Sequence, residues 1–169
     1  MKQNFWNQTT FSALILSLIT ILYTLLNSVV ELPKVLTFVL WFVKITATIG
    51  FMYYFIKDYA KGFETFSYGD GFKFAFFTSF FSALITSAYY FLHYYFIFPG
   101  EVEKISLIIE QAVAAQGDTG DMNNGFLNFM LNSFPHFMFI TNLIYLTIFG
   151  TVISAILASF TKKENVFSE

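Results

Sequence analysis

Lys44 stands near the midpoint of a run from Val35 to Ile56 that carries no other charge. An ammonium at that depth costs on the order of 2.5 to 3.5 kcal/mol against hydrocarbon, so something must offset it. If the chain turns back at Glu31 to Lys34, antiparallel counting sets Lys44 level with Thr20 and Thr24, one helical turn apart on the preceding run. Asn142 and Thr147 from the last apolar run, and Ser87 from the third, are further polar candidates. No carboxylate is available at that depth, so a paired buried charge is not on offer from this chain. Three readings follow: Lys44 snorkels along a tilted helix, hydroxyls and water hold it inside a bundle, or it meets an anionic group such as a lipid phosphate.

The other chemistry-bearing residues are few. His93 lies among Tyr90, Tyr94 and Tyr95 shortly before Pro99 and reads as an interfacial amphipathic side chain. His136 is the second of the two histidines, and neither has the i, i+3 or i, i+4 ligand spacing that a metal site on a helix uses. Asp121-Met122-Asn123-Asn124-Gly125 opens like a calcium loop, but Phe126 and Asn132 stand where that loop needs its glycine and its bidentate glutamate. There is no cysteine, which removes thiol nucleophiles and Cys-based metal centres. No Gly-x-Ser-x-Gly, phosphate loop or His-rich helix appears, so no enzyme and no cofactor is expected. Hydroxyls are frequent in the apolar runs (Ser17, Ser79, Thr86, Thr151 and Ser154 among them). They suit a transport path less than they suit close helix packing, because ion paths carry carboxylates within the spans.

The elements that must position these groups are set by composition. Of 169 residues, 56% are hydrophobic and 12% charged, too little polar surface to cover a soluble domain of this size. The apolar residues fall in four blocks, about 11–30, 35–56, 72–98 and 136–160, each long enough to cross a bilayer. Strands of a membrane barrel would be about ten residues long and alternating, which these are not. The fold expected is therefore an all-α integral membrane protein with four transmembrane helices in a single membrane domain. The first block is too long for a cleaved leader and lacks a small-residue cleavage site after it. Pro33 stops the first helix and starts the second, and Ser67 with Asp70 reads as the cap of the third. Between the third and fourth spans, Val102, Ile105, Ile108, Ile109, Ala112 and Val113 recur at helical spacing, an amphipathic helix over about 101–116. A polar turn is expected over Gly117 to Gly125, with Asn132 to Pro135 opening the last span.

Lysine placement gives orientation. Lys2, Lys57, Lys61, Lys73, Lys162 and Lys163 fall on one side of the four spans, against Lys34 and Lys104 on the other. The lysine-rich side, with both termini, is expected in the cytoplasm. Tyr53, Tyr54, Tyr59 and Tyr68 at one end suit an interfacial aromatic belt. All nine basic residues are lysine, and the net charge is −2, so a nucleic-acid partner is not expected.

The stretch Phe66-Ser67-Tyr68-Gly69-Asp70-Gly71-Phe72-Lys73, the two-span hairpin before it, and Pro99 followed by an acidic helix together resemble the bacterial DUF4199 membrane proteins, common in Bacteroidota. The resemblance runs over nearly the whole chain. It implies a bacterial inner-membrane protein, and it brings no catalytic residues, since that family's function is undefined. It also implies a partner, because such proteins occur near genes for membrane-associated glycosyltransferases that load sugar onto polyprenyl phosphate. The expected role is an accessory or scaffold subunit surrounded by membrane lipids. The alternative is a small carrier or lipid-handling protein, as a homo-oligomer, with Lys44 at an anionic headgroup.

Overall fold

A computed structural model describes residues 4–30, 32–115 and 121–162. The chain forms α1 (Phe5–Val29), α2 (Lys34–Ala60), α3 (Tyr68–Leu92), a π-helical turn (His93–Ile97), α4 (Pro99–Ala115) and α5 (Asp121–Thr161). Four segments are long and apolar enough to cross a membrane: Phe5–Val29, Lys34–Ala60, Tyr68–Ile97 and Asn132–Thr161. The protein is an all-α membrane protein with four spanning helices and the shorter α4 between the third and fourth.

Helix boundaries follow local chemistry. α1 starts six residues before the apolar block because the Asn4 side chain accepts from the Trp6 N–H at 3.3 Å and caps the helix through its polar first turns. α3 opens with a reciprocal cap. The Asp70 carboxylate accepts from the Ser67 hydroxyl (2.7 Å) and N–H (3.1 Å), while the Ser67 Oγ accepts from the Asp70 N–H (3.2 Å). The last span runs from Asn132, but the helix that carries it, α5, begins earlier, at Asp121. Pro135 lies inside α5, and Asp121–Gly125 is helical as well, leaving 117–120 of the expected turn outside the described residues. Proline removes one helical bond, but hydrocarbon offers the remaining backbone no partner except its own helix, so the helix continues through it.

The chain divides into two compact units, Met1–Thr86 with Leu143–Glu169, and Ser87–Asn142. In the first, α1 buries Thr9, Ser12, Ala13, Leu16 and Ser17, one helical face, and turns Phe11, Leu14, Leu18 and Leu22 outward. On α1, small and hydroxyl residues with Leu16 thus face inward while the larger side chains face outward, as helices packing in a bilayer prefer. The interior ends in an aromatic cluster: Tyr59 stacks on Phe74 with centroids 4.3 Å apart, and Phe5 meets both edge-on. Tyr59 is buried there, which corrects its expected place in the interfacial belt. Tyr54 and Tyr68 are exposed.

In the second unit, the face of α4 that turns inward is Val102, Ile105, Ser106 and Ile109, with Ser106 buried. Ile108, expected on that face, is 65% exposed beside Leu107 at 52%. The inward stripe is the narrower one, at three- and four-residue steps from Val102, and Ile108 lies off its edge.

Candidate functional sites

In the first unit, Lys44 is half-buried, and its Nζ lies over the Tyr23 ring, 4.5 Å from the centroid. Tyr23 sits one turn beyond Thr20, so the amine reaches across the α1–α2 hairpin and toward its closed end. A cation on a ring face is favoured by the ring quadrupole, more so out of water. Of the hydroxyls counted at this depth, that of Thr24 is engaged with its own helix. Thr24 Oγ1 donates to the Thr20 carbonyl at 3.0 Å, and Thr48 Oγ1 donates to the Lys44 carbonyl at 2.8 Å. The Thr147 hydroxyl is buried with no hydrogen-bond partner. Asn142 and Ser87 belong to the second unit. There Asn142 Nδ2 donates to the Met138 carbonyl at 2.9 Å, and the Ser87 hydroxyl is buried without a partner.

Tyr23 carries no special sequence signal of its own. An aromatic at the depth of an intramembrane lysine, on the adjoining helix of a hairpin, is the pattern that would have found it.

One turn along α2 from Lys44 opens a cavity of about 80 Å³, reached by all four helices of this unit. Thr20, Thr48, Ser79, Ser82 and Thr86 give it hydroxyls, and Leu16, Met52, Phe149 and Ile153 give it apolar walls. A space of that size with several hydroxyls on its wall can hold water or a small polar group. Beside it the α5 backbone at Gly150 packs against the Ser79 side chain of α3. A Cβ placed on Gly150 would stand 2.6 Å from the Ser79 Cβ, closer than two carbons can come. Ser79 and Ser154 hydroxyls lie 3.4 Å apart, and Ser154 Oγ also donates to the Gly150 carbonyl at 2.6 Å. The seam follows Gly71, Ala75, Ser79 and Ala83 on α3 and Gly150, Ser154 and Ala158 on α5, each set at four-residue steps. Such small-residue stripes let helices approach closely in lipid.

At the lysine-rich end, Lys57 lies over Tyr53 (4.8 Å) and Lys73 over Phe5 (5.5 Å). Lys61 is exposed and bonds Asp58 at 3.0 Å, which holds its ammonium above the ordinary lysine range.

The second unit is organised around His93, which is 0% exposed and so enclosed by protein. Its Nδ1 is 2.9 Å from the Tyr89 hydroxyl and its Nε2 is 3.3 Å from Glu101 Oε2. A neutral imidazole satisfies both by accepting from the tyrosine O–H and donating Nε2–H to the carboxylate. The π turn supplies the geometry. The His93 carbonyl accepts from the Phe98 N–H at 2.7 Å, a five-residue bond that ends the helix, and Pro99 then starts α4 so that Glu101 returns to the ring. The arrangement orients a buried proton-bearing ring against a part-exposed carboxylate. Sequence reasoning missed it because Glu101 lies beyond a helix break; Tyr89 and His93 at i, i+4 were the legible half. His136 is exposed, with its ring 5.1 Å from that of Phe91. Among the described residues no group of three His, Cys, Asp or Glu comes together in a way that could hold a metal ion.

The family described as "Protein of unknown function (DUF4199)" matches residues 10–163, which take in every side chain of both sites. The chain belongs to the DUF4199 family. No curated protein and no solved structure matches it. The DUF4199 match thus covers the capped stretch Phe66 to Lys73, the Lys44–Tyr23 contact and the Tyr89–His93–Glu101 group alike. The DUF4199 description assigns none of them a role.

Proposed function

We propose that this DUF4199 protein is a non-catalytic accessory or scaffold subunit of a membrane complex in a bacterial inner membrane, with both termini cytoplasmic. The observation that carries the reading is α2. Only 6% of its most apolar window is buried, against 28% for α1 and for the third span. Its N-terminal two-thirds, from Lys34 to Phe51, contributes no buried residue, while the other helices close on one another through their small-residue faces. A face rich in exposed Phe and Trp (Phe38, Trp41, Phe42, Phe51) suits contact with another membrane protein. The lysine distribution supports the orientation. The partner class that the sequence resemblance implies is a polyprenyl-phosphate glycosyltransferase.

Purification from native membranes in mild detergent tests this, followed by mass spectrometry of the intact particle. A stoichiometric membrane enzyme is the expected companion. A homogeneous particle of this chain alone, with or without lipid, refutes the subunit reading. A reporter inserted between residues 117 and 125 is expected to be inactive in the cytoplasm; activity there reverses the orientation.

Lys44, half-buried beside the Tyr23 ring, favours a second reading, a small lipid-handling carrier in which the ammonium meets an anionic headgroup. On that reading, Lys44→Met releases anionic lipid that co-purifies with the native protein. Unchanged lipid occupancy counts against it.

A further inference from the structure

We infer that α2 docks a transmembrane helix of a different protein, one that carries an Asp or Glu within its hydrocarbon-spanning stretch, and that Lys44 pairs with that carboxylate. The inference deepens the subunit reading above and rests on it. Lys44 lies ten residues into α2, about 15 Å along the helix from Lys34 at 1.5 Å per residue. Its side chain extends to Tyr23, and the Tyr23 ring quadrupole offsets only part of the cost of a cation held away from water. An opposite charge is what that position lacks.

This chain cannot supply one to itself or to a second copy. α1 and Asn132–Thr161 contain no acidic residue, and those of α2 and α3 are Asp58 and Asp70, in the last turns of one and the first turn of the other. A homo-oligomer would set lysine opposite apolar side chains, so the carboxylate comes from another protein.

The surface next to Lys44 has the shape of an unfinished interface. Lower on α2, Met52 and Ile56 are buried. Three turns higher the same helical face presents Trp41 and Phe38, stacked with centroids 5.9 Å apart and exposed at 42% and 65%. A single helix laid along this face would cover the stacked rings and bring a mid-span carboxylate to the lysine. The pair of rings would then exclude lipid and water around the ion pair, which strengthens it.

The probe is a synthetic Leu/Ala helix of about 20 residues, long enough to span, with Asp at its centre. It is reconstituted with the full-length protein in phosphatidylcholine vesicles, and association is read by energy transfer. The Asp helix is expected to associate at least tenfold more tightly than the same helix with Leu at the centre. Lys44→Met should abolish the difference and Lys44→Arg should keep it. Equal association of the Asp and Leu helices, or a difference that survives Lys44→Met, overturns the inference.

In native membranes, a photo-activatable residue in place of Trp41 should yield one foreign-protein adduct that Lys44→Met reduces at least tenfold. Adducts of lipid alone, or of a second copy of this chain, also overturn the inference. A foreign adduct formed instead from Ile148 on α5, and indifferent to Lys44, overturns it while leaving the subunit reading standing. Absence of any foreign adduct from either position defeats both.

Discussion

At the α3–α5 seam even a methyl group on Gly150 would collide with Ser79, whereas around His93 an imidazole is fully enclosed and bonded at both nitrogens. One region is held by the absence of side-chain volume, the other by directed polar bonds. The contrast follows from what each must do. Two long helices in hydrocarbon have no hydrophobic drive to associate, so close contact and dispersion decide. The turn from α3 into α4 has lost its regular backbone bonds, and a side chain that reaches in two directions restores order there.

The sharpest test of the contrast is Gly150→Leu, expected to cost about 3 kcal/mol through forced separation of the helices. Detergent-titrated unfolding checks it, with Gly50→Leu as the control, since a Cβ there meets nothing within 4 Å. Equal stability of the two variants would remove the seam as a steric contact. Next in size is His93→Ala, expected to cost about 2 kcal/mol because Tyr89 and Glu101 lose a shared partner. Amide exchange should quicken over 87–109 and stay unchanged at Gly150; uniform quickening would mean that the two regions do not differ in kind. Adding Tyr89→Phe and Glu101→Met to a His93→Leu background should recover most of the loss, as apolar replacement of a whole polar group does. Asp70→Ala is smaller, about 1 kcal/mol, since it removes one cap at a helix start. Thermal unfolding in micelles would register it, and Asp70→Glu would not match it if cap geometry is what counts. The smallest is Ser154→Ala, about 0.5 kcal/mol. Its hydroxyl is already turned back to Gly150, and its approach to Ser79 is long at 3.4 Å. A large loss there would show that hydrogen bonding, and not fit, governs the seam.

The parts of this arrangement that could be read from the residues are those governed by neighbours in sequence. The Ser67–Asp70 cap needs only a four-residue segment, and the four spans need only continuous apolar length, so both were plain. The α1–α2 turn placed Lys44 level with the stretch that holds Tyr23, although a choice between a hydroxyl and a ring face required side-chain directions that counting does not give. The enclosure of His93 was not legible because its partner Glu101 lies across Pro99, in a helix whose return path depends on the π turn. Pro135 was misread for the opposite reason: in water it would end a helix, and inside a membrane the backbone has nowhere else to bond. Ser79 and Ser154 were legible as hydroxyls suited to helix packing, but nothing in the spacing says that Gly150 is what Ser79 meets.

Because the four spanning helices separate within hydrocarbon and not into water, pulling them apart transfers little apolar surface into a new environment. Heat capacity on unfolding tracks the apolar surface given up to water. Calorimetry of this protein in bilayers should therefore give a nearly flat baseline change between the assembled and separated helices, and a stability that varies gently with temperature, without the cold-side decline that water-soluble cores show.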